Sequence, residues 1–271
     1  MAEQSKAQAL FIQNHRHHKR KIRFFRILIL IVFFVQWEVT AALQIVNPFI
    51  FSSPSRLIRC CYDMIRNNSL LYHIGITLFE TIASFVLVTL FTIVIATILW
   101  MSRTLSETLD PYLVVLNSLP KSALAPLLIV WLGGNYKTII LTGMSVAIFG
   151  SILSLYTAFL TTDADKLLLI RTLGGSKKHI LLKILIPGNI PVILSIMKVN
   201  IGLCLVGVII GEFIAAKKGL GYLIIYGSQV FKLDWVILSI PILCAIAMAL
   251  YQITNSVEKR YGKPRRRKNK S

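Results

Sequence analysis

From Ile74 to Met101 the chain is apolar at nearly every position, and Glu80 is its single charged residue. The hydrocarbon layer of a bilayer is about 30 Å thick, so roughly 20 consecutive apolar residues in a helix suffice to cross it. Five further stretches meet the same test: Ile27 to Val46, Tyr112 to Leu132, Thr138 to Leu160, Pro191 to Ile214 and Trp235 to Val257. Lipid offers the backbone no hydrogen-bonding partner, so such segments must satisfy their own amides as helices. Only 15% of the residues are charged and 55% are hydrophobic, against about 25% charged in a soluble domain. The expected fold is an all-α integral membrane protein of about six transmembrane helices.

The net charge of +19 is concentrated at the ends of the chain. Arg16, Lys19, Arg20, Lys21, Arg23 and Arg26 precede the first apolar stretch, and Lys259 to Lys270 follow the last. Basic residues beside a span mark the cytoplasmic face, where they also meet anionic lipid. With both tails inside, the inner segments hold 21 of the 30 Lys and Arg residues and the outer connections 7. The expected organisation is therefore a basic cytoplasmic tail at 1–26, a transmembrane domain at 27–258 and a second basic cytoplasmic tail at 259–271. This distribution argues for membrane lipid and against nucleic acid as the basic tails' partner. Ala41-Ala42 resembles a signal cleavage site, but the length of the apolar run and of the tail before it favours a retained anchor. The cysteines lack metal-ligand spacing, and His15, His17 and His18, which could hold a metal loosely, read better as part of the solvated basic tail, so no metal or cofactor is expected.

The segment at 161–186 reads as two short helices on the cytoplasmic side, a two-helix loop. Asp163 suits the first N-cap, Gly174 or Gly175 a left-handed C-terminal turn, and Ser176 the second N-cap. Pro187 is expected to begin the next span. Leu167, Ile170 and Leu173 share a face at helical spacing, which suits either docking in a partner's groove or lying on lipid. No G-x-x-x-x-G-K-[ST] phosphate loop occurs, so ATP-driven transport would need a separate ATPase.

Arg171-Thr-Leu-Gly174, followed after nine residues by Ile184-Leu-Ile-Pro187, resembles the loop shared by permeases of binding-protein-dependent ABC importers. Gly211-Glu-Phe-Ile-Ala-Ala-Lys-Lys-Gly-Leu-Gly-Tyr-Leu-Ile224 resembles the branch that serves nitrate, sulfonate and taurine. Pro54-Ser-Arg56, Leu119-Pro-Lys-Ser-Ala-Leu-Ala-Pro126 and Trp131-Leu-Gly133 fit the same branch. The resemblance implies that the 161–186 loop couples to a cytoplasmic ATP-binding subunit through Leu168, Arg171, Leu173, Gly174, Ile184 and Pro187. It also implies a permease homodimer, an extracellular or periplasmic substrate-binding protein, and a small anion or vitamin precursor as solute. Family members usually carry Glu-Ala-Ala just before the arginine; this chain has Leu168-Leu-Ile170, which implies an apolar contact instead.

Charged residues inside a membrane face an interior or a water-filled path. Glu212, among Gly207, Gly211 and Ala215, is a candidate for the translocation path, and an ion pair with Lys121 or Lys198 is its structural alternative. Glu38 and Glu80 read as structural or interfacial. Pro120 and Pro126 remove backbone donors from the third span, so with Lys121 they also become candidates for the path. An ion-coupled secondary transporter using Glu212 or Glu80 is the competing function. No nucleophile and base pair up in the sequence, which argues against an enzyme.

Overall fold

The computed structural model describes residues 2–261, so the basic positions from 263 onward lie outside the described residues. Among the described residues five helices are long and apolar enough to cross a membrane: Arg20–Ala42 within α1 (Ala2–Ala42), α4 (Ser69–Met101), α7 (Tyr136–Leu160), α11 (Ile190–Ala215) and α13 (Leu233–Tyr261). A sixth crossing is made if α5 (Arg103–Ser118) and α6 (Lys121–Leu132) count as one broken span. The remaining elements are short: α2 (Pro48–Phe51), α3 (Pro54–Arg66), α8 (Ala164–Thr172), α9 (Lys177–Ile180), α10 (Ile186–Gly188) and α12 (Leu220–Gln229). Among the described residues there are no strands. The fold is all-α, with the expected spans shifted by a few residues. The first ends at Ala42 and turns over 43–46 instead of reaching Val46.

The interior is built on α4, α7 and α11, the most extensively packed trio. Small residues let these helices meet closely. A Cβ on Gly207 would lie 2.8 Å from the Gly143 Cα, and one on Gly143 would lie 2.6 Å from Ser84 Oγ. Ser84 Oγ in turn sits 2.7 Å from the Glu80 carbonyl and 3.0 Å from the Ile140 carbonyl, so one hydroxyl bridges α4 and α7. In lipid there is little hydrophobic drive between helices, and close backbone approach with shared polar contacts supplies the cohesion.

The Pro54-Ser-Arg56 segment is a bracket. Ser53 caps α3 with Pro54 in its first turn, where the absent N–H removes no helical bond. Glu38 of α1 accepts from the Ser55 N–H (3.0 Å) and the Ser55 hydroxyl (2.7 Å). Arg56 donates to the Pro48 carbonyl (2.8 Å) and to Asp234 Oδ2 on α13 (2.9 Å). The bracket thus ties α1, α2 and α13 to α3, and Glu38 has the structural role expected of it.

The broken span departs from expectation. The axes of α5 and α6 diverge by 97°. The break falls at Pro120 alone, where Leu119 takes an extended backbone (ψ 142°), the conformation favoured before proline. Pro126 lies inside an unbroken α6. It removes its own backbone donor without breaking the helix, whereas the sequence suggests an interruption of the span at both prolines.

Candidate functional site

Three polar or exposed features stand apart from the apolar body. The first is the 161–186 loop. Asp163 Oδ1 accepts from the Asp165 N–H at 3.1 Å and starts α8 as expected. At the other end Gly174 has φ +75°. The Gly175 N–H donates to the Ile170 carbonyl (2.8 Å) and the Gly174 N–H to the Arg171 carbonyl (3.0 Å). This paired closure satisfies helix-end carbonyls and requires a left-handed residue at Gly174. Ser176 caps α9, its N–H donating to His179 Nδ1 at 3.2 Å.

The direction of α8 corrects the sequence reading. Leu167 and Ile170 pack inward against a cluster that includes Ala96, Leu155, Phe159 and Leu185. Leu173, expected on that same face, is 74% exposed. Leu168 and Leu169 are each 58% exposed, and Arg171 and Gly174 are exposed beside them. The outward apolar surface is therefore Leu168, Leu169 and Leu173. Ile184 and Pro187 lie on another side of the loop, lining a groove of about 560 Å³ with Lys166 and Lys183. Pro187 sits within α10, and the next span starts only at Ile190, after Asn189. Between α9 and α10 the helix loosens into a π-helical stretch, Leu181–Leu185.

The second feature is a cavity of about 310 Å³ at the α5–α6 elbow, walled by α7 and α11. Lys121, Asn117, Ser151, Ser154, Ser195 and Asn200 supply its polar lining. Lys121 is brought here with Pro120 at the bend; Pro126 does not line this cavity. Asn200 was not singled out from the sequence, although an amide within an apolar run was its visible signal.

The third feature surrounds Glu212, which is 1% exposed. Its carboxylate accepts from Thr77 Oγ1 (2.7 Å) and from the Gly221 N–H (2.6 Å). Thr77 Oγ1 also accepts from the Leu220 N–H at 2.9 Å. A Cβ on Gly219 (φ +107°) would overlap the same carboxylate. Glu212 therefore braces the turn that leads into α12, and the Gly-Leu-Gly spacing makes room for it. Neither Lys121 nor Lys198 pairs with it: Lys198 is bonded to Glu258 of α13. Glu80 is buried against Glu212 from α4. The elbow cavity and the Glu212 cluster do not share lining residues.

A broken span, a capped two-helix loop and a close trio of spans make this an all-α protein of the membrane-spanning class. Residues 88–258 match the family model for the binding-protein-dependent transport system inner membrane component, and the chain belongs to that family. It is 29% identical to a probable ABC transporter permease protein of Haemophilus influenzae, over 85% of this chain and 94% of that one. It is 24% identical to the taurine transport system permease protein TauC of Escherichia coli, over 82% of each. The fold matches that of a bacterial ABC transporter involved in alginate import (TM-score 0.65, 12% identity, 90% of this chain and 98% of that chain). It also matches the MetNI methionine ABC transporter (TM-score 0.60, 15% identity, 72% and 98%). Family membership decides between the two transport readings: this is a multi-pass permease component of a binding-protein-dependent importer, not an ion-coupled carrier.

Proposed function

We propose that α8 and α9 form the docking surface for a cytoplasmic ATP-binding subunit, and that a dimer of this chain encloses the path of a small polar solute. The exposed Leu168, Leu169 and Leu173, beside Arg171, carry this reading. They are apolar side chains turned outward on a short helix whose other face is anchored to α7 and to the π-helical stretch. Motion imposed on α8 is thereby passed to the spans. Leu168 stands where an acidic residue is usual, so contact with the ATPase here is apolar. An extracellular or periplasmic binding protein delivers the solute, and ATP is hydrolysed by the partner, not by this chain. Relatives named for taurine, aliphatic sulfonates and formylaminopyrimidine support a small anion or a vitamin precursor as solute.

Leu173→Asp tests the docking surface. The site is exposed, so the amount of folded permease should not change, while the ATPase that copurifies should fall at least about tenfold, the effect of losing a central apolar anchor. Wild-type copurification refutes the docking role.

The same reading puts both termini and the 161–186 loop in the cytoplasm. A cysteine at Lys178, in a chain without its four native cysteines, should resist a membrane-impermeant maleimide in intact cells and react after lysis. Ready labelling from outside inverts the topology.

A further inference from the structure

We infer that the cavity at the α5–α6 elbow is an anion-binding subsite on the solute path, in which Lys121 takes a carboxylate or sulfonate group and Asn200 hydrogen-bonds the same solute. The inference rests on the permease reading and adds to it a place and a charge preference.

Among the described residues the walls of the cavity contain one cation, Lys121, and no acidic residue. Among the described residues Lys121 has no hydrogen-bond or ion-pair partner, whereas Lys198, one helix face away, is neutralised by Glu258. Lys121 is also the first residue of α6, whose N-cap is Pro120 and lacks a capping side chain. The opening N–H groups of that helix and its dipole therefore add positive potential at the same spot.

Asn200 gives independent evidence of a ligand. It is 2% exposed, and Nδ2 is buried without a partner. Ser151 Oγ lies 2.6 Å from Oδ1 and 2.7 Å from the Ala147 carbonyl, so it engages one end of the amide only. Whichever way the amide is turned, one polar end is unpaired at the cavity wall. A buried unpaired amide is costly, and one that lines a cavity can be satisfied by a group bound there. The volume of about 310 Å³ lies at the small end of ligand pockets, which suits a small solute.

The test reads the electrostatics of the cavity directly. Ser195→Cys places a thiol on its wall in a chain without native cysteines. The reagents are a sulfonate-bearing and a trimethylammonium-bearing methanethiosulfonate, each normalised to its rate with free cysteine. The expected result is a preference for the sulfonate reagent on the order of tenfold, the effect of one nearby cation in a poorly screened site. Lys121→Gln should abolish the preference and Lys121→Arg should keep it. Asn117→Asp, which adds an acid to the same wall, should abolish it too, so that a misfolded Gln variant does not shelter the inference. Excess methanesulfonate should slow the labelling and tetramethylammonium should not. Equal rates, a preference that survives Lys121→Gln, or labelling indifferent to methanesulfonate overturns the subsite. None of these outcomes depends on ATPase docking, which the Leu173→Asp experiment reads separately.

Discussion

Gly207→Leu is expected to abolish folded permease, leaving little monodisperse protein after detergent extraction, whereas Gly202→Leu on the same helix should be tolerated. The two glycines differ in what a side chain would meet. At Gly207 even a Cβ would lie 2.8 Å from the Gly143 Cα, 2.8 Å from Val146 Cγ2 and 3.0 Å from the Thr142 carbonyl. Two of those three neighbours are backbone and cannot turn aside. At Gly202 nothing lies within 4 Å. Overpacking in a filled core typically costs 1–3 kcal/mol, and a branched side chain wedged between two backbones belongs at or above roughly the top of that range. The damage would spread, because separating α7 from α11 also withdraws Gly143 from Ser84 and opens the α4 contact. Wild-type yield and thermal stability for Gly207→Leu would show that the trio does not pack as described.

The spans were legible because lipid leaves a helix no choice: a run such as Ile74 to Met101 specifies length and state together. Finer decisions were not in the local sequence. Pro120 and Pro126 lack the same N–H, yet only the first breaks the span. The difference lies in the extended backbone at Leu119 and in the burial of Ala125, which holds the second turn of α6 in place. On α8 the residues Leu167 to Ile170 are all apolar, so periodicity could not say which face turns inward. Phe159 and Leu181, from flanking elements, decide it. At α12 an apolar segment too short to cross packs on α13 and α11, a placement that its local sequence does not specify. The small residues around Glu212 correctly announced close approach. Its partners were invisible, since Thr77 lies 135 positions away and the remaining donor is a backbone amide.

Glu212 gives the second large effect, and its sign depends on the replacement. Leucine at this position removes both acceptor oxygens and leaves the Thr77 hydroxyl and the Gly221 N–H buried without acceptors. Each orphaned donor costs about 1–3 kcal/mol, so the pair approaches the whole stability of a marginal fold. Glu212→Leu should therefore give severely reduced yield. Glutamine keeps the shape and one acceptor. Its carbonyl can receive the Gly221 N–H, while its amide donates to Thr77 Oγ1 or to Glu80 Oε2, which is buried without a partner. Glu212→Gln should therefore approach wild-type yield, and ATP-dependent uptake in proteoliposomes should scale with the amount of permease. The charge is then dispensable and the geometry is not, as expected of a brace for the turn at Gly219–Gly221. A fully folded Gln variant that takes up no solute would instead place the carboxylate in the transport cycle, and a stable Leu variant would remove it from the architecture as well. The lysine ion pair predicts a different ranking, with Gln nearly as damaging as Leu because a buried cation would lose its partner. Lys198 is already bonded to Glu258 and Lys121 lines a separate cavity, so that ranking is not expected.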